Sequence, residues 1–415
     1  MNTFSISTPF TQIYVRDALV GTAIVSATET GVCLVTPLQR SDEGICASLD
    51  LVRDSQPDGQ LGHERVRRSI PLESPWVGPD NCVNGTCIFS NRKLGDGCVL
   101  LTTERNARIA STFPTPSGPS AAPPPFHTEI IPGKGIGVVA DRKIHKGDVI
   151  LVEPPTLIVQ ITSHVEMERT TMDMLYDLAL EKLPKKGKEL FMGQMGRDIR
   201  DKIETNCFLL YIDGANESGG HSACYPKISQ FNHNCRPNIH YRIANMTHMT
   251  VAVRDILPGE ELSISYINLM MSREERRSRL RRWGFECSCS HCSMSESETA
   301  ESDARIKKIQ ELEAALENFN ETIVTAETGA ELAQLYEKER LDVYLGEVYT
   351  RAALNFALFG EEEKARTYAL AAVEAVERES GKNAGDAKAM RLLAENPRAH
   401  WTWGRRRKGK SGKGN

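Results

Sequence analysis

No stretch of the 415-residue chain approaches the roughly eighteen to twenty consecutive apolar residues that cross a bilayer, so no membrane span is expected. The first residues, MNTFSISTPFTQIYVRDALVGTAIVSA, lack a basic n-region, and Arg16 and Asp17 precede their only apolar run. A secretory signal is therefore not expected. Charge of one sign is also missing: a formal net charge of −4 gives no global attraction to nucleic acid, and direct nucleic-acid binding is not indicated. Cysteine is plentiful, but the eleven thiols show no disulfide framework. In a non-secreted chain they read as reduced thiols with a metal site among them. Without secretion, the formal glycosylation acceptor Asn84-Gly85-Thr86 carries no meaning. The first 110 residues hold Cys33, Cys46, Cys82, Cys87 and Cys98 but no C-x-x-C pair, so no zinc finger is expected there.

What is present is organised in blocks. Residues 1–111 mix β-branched runs (GTAIVSAT, GCVLLTT) with turn residues and form a β-rich region of unassigned role. Residues 112–125 make a Pro-rich linker expected to be extended. From Phe126 the text turns β-rich again: GKGIGVVA, VILVE, NCFLLY, NIHYRI, MTVAVRDI and ELSISYI read as strands. A helical stretch at about 165–205 interrupts them, with MDMLYDLALEKL its best segment. MSREERRSRLRRW is a charged helix that leads into CSCSHC. Residues 300–398 then carry successive helices, the last two forming a tetratricopeptide-like hairpin at Phe359-Gly360. Residues 399–415 end in a basic tail that reads as solvated, or as a signal for nuclear import or an acidic partner.

The densest chemistry is Cys287-Ser288-Cys289-Ser290-His291-Cys292. Cys287 and Cys289 are too close in sequence for a relaxed disulfide, whereas three thiolates converge readily on a tetrahedral zinc. Cys207, Cys224, Cys235 or His291 could supply the fourth ligand. Cys235 stands out for its polar neighbours in SQFNHNCRPN, residues 229–238. In that segment a His233–Cys235 nucleophilic pair is the weaker reading, since such pairs come from distant segments with an orienting third group. Gly135-Ile136-Gly137-Val138-Val139-Ala140 formally matches a dinucleotide fingerprint. That motif requires a helix opening inside the glycine turn, where this chain has two valines. A glycine-rich β-turn able to approach a ligand remains. Tyr266, at the end of GEELSISY, reads by default as a core tyrosine.

Taken together, GKGIGVVA, FNHNCRPN, VRDILPGEELSISY and FECSCSHC, in this order, resemble the SET-domain lysine methyltransferases over roughly residues 127–293. The SMYD-type branch and its fungal relatives are the most similar, without the cysteine cluster of a MYND finger. The resemblance implies a mainly β SET fold of small sheets threaded into a pseudoknot across residues 126–268. A helical insert, a zinc-bearing post-SET loop at 269–293 and an α-helical C-terminal domain would complete it. It implies that Lys134, Gly135, Ile136, Asn206, Ser229, Asn232, His233, Tyr266 and Phe285 bind S-adenosylmethionine. Tyr266 would be catalytic, Phe208 would line the substrate channel, and Cys235, Cys287, Cys289 and Cys292 would hold one structural Zn2+. Asn234 departs from the family's Asn-His-Ser-Cys pattern, its side chain standing where the family has serine.

The implied activity is methyl transfer to a lysine of a histone or non-histone protein in the nucleus or cytoplasm. The lysine amine, with a pKa near roughly 10.4, must lose its proton before it can attack. A protein partner for the helical region also follows from this reading. The competing expectation is a catalytically inactive, zinc-stabilised SET scaffold for protein interaction.

Overall fold

The computed structural model describes residues 75–114, 123–214, 219–318 and 321–406. Most of the N-terminal region, including Cys33 and Cys46, the centre of the Pro-rich linker and the end of the basic tail lie outside the described residues. In chain order come strands β1 (Val77–Val83), β2 (Thr86–Asn91) and β3 (Cys98–Thr102), helix α1 (Glu104–Ala110), and strands β4 (Phe126–Ile131), β5 (Gly135–Ala140), β6 (Val149–Glu153) and β7 (Leu157–Gln160). The helical insert follows as α2 (Ile161–Glu166), α3 (Arg169–Lys182), α4 (Lys185–Met192) and α5 (Ile199–Asn206). Strands β8 (Cys207–Tyr211), β9 (Gly220–Cys224), β10 (Asn232–His233), β11 (Ile239–Ala244), β12 (Thr247–Ala252) and β13 (Glu261–Ile264) complete the β-rich part. Helices α6 (Arg273–Leu280), α7 (Glu296–Glu317), α8 (Thr328–Lys338), α9 (Leu345–Phe359), α10 (Glu362–Ser380) and α11 (Gly385–Glu395) close the chain.

Two compact units divide the described residues. The first draws on residues 75–114, Glu153–Pro226 and Asn245–Thr247. Its six-stranded sheet runs β1-β2-β3-β7-β9-β8, and β3 lies parallel to β7 with Val99 opposite Leu157. Strands from both sides of the Pro-rich linker thus share one sheet. Asn84 (φ 48°) and Gly85 (φ 82°) turn the β1–β2 hairpin, the pairing that a two-residue Asn-Gly turn favours. Helix α3 ends at Lys182 because Leu183 precedes Pro184. Its buried Met172, Leu175, Tyr176 and Ala179 pack on Val99, Leu101, Leu157 and Val159 of the sheet, and each large apolar side chain buried there contributes about 1.5–3 kcal/mol.

The thiols of this unit depart from the reduced state expected from the sequence. Cys82 pairs with Cys87 and Cys207 with Cys224 as disulfides. The first pair flanks the β1–β2 turn, and the second sits directly opposite in the β8–β9 register. Strand register brings these cysteines together, and cysteine spacing does not report it. The second pair also removes Cys207 and Cys224 as candidate metal ligands.

The second unit draws on residues 123–152, 227–244 and 248–406. Its four-stranded sheet has the order β10-β13-β5-β4, and β11-β12-β6 form a smaller sheet. Strands β4 and β5 form a hairpin rather than opening a crossover helix, which disposes of the dinucleotide-fold reading. Strand β10 is only two residues long and lies parallel to β13, Asn232 opposite Ser263 and His233 opposite Ile264. Capping boxes start α6 at Ser272 with Glu275 and α7 at Ser295 with Glu298.

The run ELAQLYEKERLDVYLGEVYTRAALNFAL, continuous in its apolar spacing, is two helices. Arg340 takes a left-handed backbone (φ 55°), and the Leu341 N–H closes onto the Tyr336 carbonyl at 3.0 Å, ending α8 before α9 begins. Gly360 (φ 73°) makes the next turn, and buried Ala353, Ala357, Ala365, Ala369 and Ala372 let α9 and α10 approach closely. Among the described residues no helix is long and apolar enough to cross a membrane.

Candidate active site and metal centre

The β4–β5 turn offers Lys134 and Gly135. Gly133 and Gly135 adopt φ of 78° and 76°, left-handed values open to glycine. The Lys134 Nζ reaches Glu261 Oε2 at 2.5 Å. Glu261 Oε1 accepts a hydrogen bond from Asn232 Nδ2 at 3.0 Å, and the same amide nitrogen donates to the Ile136 carbonyl at 3.2 Å. One carboxylate on β13 therefore joins the glycine turn to β10. Asn238 braces the arrangement: its Oδ1 accepts from the Ser263 N–H at 2.8 Å and its Nδ2 donates to the Glu261 carbonyl at 2.9 Å.

His233 lies at the centre. The Tyr266 backbone N–H donates to its Nδ1 at 3.1 Å, which fixes the ring proton on Nε2. That nitrogen stands 3.3 Å from Cys235 Sγ. Burial lowers the His233 pKa to about 4, the negative Cys289 opposing and the positive Arg276 and Lys134 assisting, so the ring is neutral near pH 7. The Tyr266 hydroxyl donates to the Phe231 carbonyl at 2.8 Å. Burial, followed by the Glu261 charge, raises the Tyr266 pKa above its ordinary value. Its ring centroid lies 5.3 Å from Trp283, 5.5 Å from His233 and 6.5 Å from Phe285.

Cys235, Cys287, Cys289 and Cys292 are all buried, and their Sγ atoms lie within 4.8 Å of one another. Cys235 Sγ stands 3.5 Å from Cys292 Sγ and 4.0 Å from Cys287 Sγ. Four thiolates about 2.3 Å from one tetrahedral zinc would lie about 3.8 Å apart, so the donor set fits that metal. Arg277 donates to the Cys292 carbonyl at 3.0 Å. Asn234 Oδ1 accepts from the Arg236 N–H at 2.9 Å, an Asx-turn at Cys235. Serine makes the same kind of turn more weakly, so the departure at Asn234 keeps the local geometry.

The residues singled out in the sequence fall into both units. Asn206 ends α5 in the first, its amide donating to the Met195 and Lys202 carbonyls at 2.7 Å each. Phe208 is on β8 of the same unit, edge-to-face with Tyr225 at 5.9 Å. Lys134, Gly135, Ile136, Ser229, Asn232, His233, Tyr266, Phe285 and the four cysteines belong to the second unit. Within it, Ser229 sits in the 3-10 turn Ile228–Gln230, and the Ile136 side chain is exposed. The sequence reading missed Glu261, Asn238 and Gly137. The signal was present in GEEL and in the third glycine of GKGIG, but both passed as turn residues.

Residues 135–267 match the family model described as SET domain, and this stretch is a SET domain. Among curated relatives, the human histone-lysine N-methyltransferase SMYD3 is 40% identical over 125 residues, covering 27% of this chain and 28% of that protein. The histone-lysine N-methyltransferase set5 of Schizosaccharomyces pombe is 32% identical over 196 residues, 45% of this chain and 56% of its own. The human N-lysine methyltransferase SMYD2 is 33% identical over 103 residues, 25% of this chain and 24% of its own. The chain thus spans from about a quarter to just over half the length of these relatives. SMYD-type and fungal SET proteins are the branch that the four motifs resemble.

Proposed function

We propose that the protein is an S-adenosylmethionine-dependent protein-lysine N-methyltransferase with one structural zinc. The observation that carries this reading is the placement of Tyr266, held by His233 at its backbone and by Phe231 at its hydroxyl, beside Trp283 and Phe285. Within the second unit, Lys134, Gly135, Ile136, Ser229, Asn232, His233, Tyr266 and Phe285 would hold the cofactor; the resemblance alone gives Asn206 a cofactor role and Phe208 a place in the lysine channel. When bound, S-adenosylmethionine supplies an electrophilic methyl on a sulfonium, and the protein supplies alignment and a dry surround.

Tyr266 spends its one proton on the Phe231 carbonyl, so its oxygen is left with lone pairs to accept an N–H of the incoming lysine. Its raised pKa keeps it a neutral phenol, which orients the amine without acting as the base. The zinc would be closed by Cys235, Cys287, Cys289 and Cys292, with no position for water and hence a structural role. The substrate is a lysine of a histone or another protein, met in the nucleus or cytoplasm, and residues 300–398 form the helical region that would engage a partner. The inactive-scaffold reading drew on Asn234 and on the unassigned N-terminal region; the Asx-turn at Asn234 weakens the first of these motives.

The test is methyl transfer from labelled S-adenosylmethionine to a protein mixture. Wild type should label discrete proteins, and Tyr266→Phe should fall by at least about tenfold, as losing a positioned group in a transition state does. No transfer by wild type, together with no cofactor binding, would sink the reading.

A further inference from the structure

We propose that Glu261 is a positioning residue that sets the polarity of the cofactor cradle, forcing Asn232 to present its carbonyl oxygen, and not its NH2, to the ligand. This rests on the methyltransferase reading, which makes Asn232 and Lys134 cofactor residues. The side-chain nitrogen of Asn232 lies against two groups that only accept: Glu261 Oε1 at 3.0 Å and the Ile136 carbonyl at 3.2 Å. An amide has two N–H donors, and both are thereby used. Swapping oxygen and nitrogen would set an amide oxygen against a carboxylate and a carbonyl, so the orientation is determined by chemistry. What Asn232 has left for a ligand is an acceptor, suited to an ammonium group.

The second carboxylate oxygen of Glu261 fixes the complementary charge. It holds the Lys134 ammonium at 2.5 Å, with the two side chains 26% and 20% exposed. A cation on the glycine turn and an acceptor on β10 are thereby set on either side of one anion. That arrangement matches a zwitterionic amino-acid end, carboxylate toward Lys134 and ammonium toward Asn232. Gly137 leaves the room: a Cβ there would stand 2.8 Å from Asn232 Nδ2 and 3.2 Å from Glu261 Oε1. Glu261 itself serves through these two residues.

The experiment uses the full chain and calorimetric binding of S-adenosylhomocysteine and of its counterpart lacking the α-amino group. Wild type should prefer the amino-bearing ligand by at least about tenfold, a modest share of what a charge-assisted hydrogen bond provides. Glu261→Ala should bring that preference to within about threefold. Glu261→Gln, close in shape and still able to accept from Asn232, should retain most of it while weakening both ligands alike through loss of the Lys134 pair. Melting of Glu261→Gln should match wild type, which separates positioning from folding. An unchanged preference in Glu261→Ala would overturn the inference alone. Failure of wild type to bind either ligand would overturn the inference and the methyltransferase reading together.

Discussion

His233 uses both ring nitrogens, one on the Tyr266 backbone and one on Cys235. A partner that donates to a metal ligand tunes that ligand, and its loss typically costs about 10–100-fold in metal affinity. His233→Ala should therefore release zinc to a competing chelator faster than wild type, and methyl transfer should fall with it through the freed Tyr266 backbone. Zinc retention equal to wild type would place the ring outside the metal site's support. Tyr266 leads to a second expectation, on pH. Because burial keeps the phenol protonated well above its ordinary value, the rising limb of activity belongs to the substrate lysine. The rate should climb about tenfold per pH unit between about 7 and 9, below the lysine pKa near 10.4. Tyr266→Phe should lower the whole curve and keep its slope. A flat profile in that variant would instead make the tyrosine the titrating base. At this scale the sequence was partly legible: the motif named Tyr266 and His233, but that the imidazole faces the Cys235 sulfur depends on how β10 pairs with β13.

Among the elements, the end of α8 carries more than its helical pattern suggests. Glu339, its side chain 1% exposed, takes Arg236 just after β10 at 2.6 Å and Arg305 of α7 at 2.5 Å, and Ser302 donates to it at 2.8 Å. Removing one member of such a buried set leaves uncompensated charges and costs about 3–5 kcal/mol. Glu339→Ala should lower the melting temperature accordingly, and an unchanged transition would show the network to be idle. Burial acts to raise the Glu339 pKa, but the hydrogen bonds from Ser302, Arg305 and Arg236 outweigh it and leave the group below its ordinary 4.5. A depressed carboxylate stabilises the fold above its unfolded value and loses that stabilisation as pH falls through the folded one. Wild type should therefore lose stability more steeply than Glu339→Gln below about pH 4.5. The helices themselves were legible from their periodicity, and Ser272 and Ser295 announce two starts. The break at Arg340 was not, since a left-handed arginine has no sequence signature.

For the molecule as a whole, the cysteine cluster is continuous with a larger core. Cys235, Cys287, Cys289 and Cys292 share one buried cluster with Ile306, Ile309, Leu332, Tyr336 and Leu341 of the C-terminal helices. A chain stopped at residue 293 should consequently fail to give a cooperative melt, even with zinc present. Sequence blocks suggested a series of modules, and composition marks such blocks well. What composition cannot report is which apolar faces meet, and here the helical faces meet the cysteine loop.

The two-residue pairing of β10 with β13 also bears on folding, because it is a non-local contact. Residues 232–233 find their partners at 263–264 only after the intervening chain has looped back, and long closures slow folding more than they weaken it. Cys235 sits just beyond that pairing, while Cys287, Cys289 and Cys292 arrive from farther along. A metal held by all four would close a second, longer loop on the same segment, from Cys235 to Cys287 and beyond.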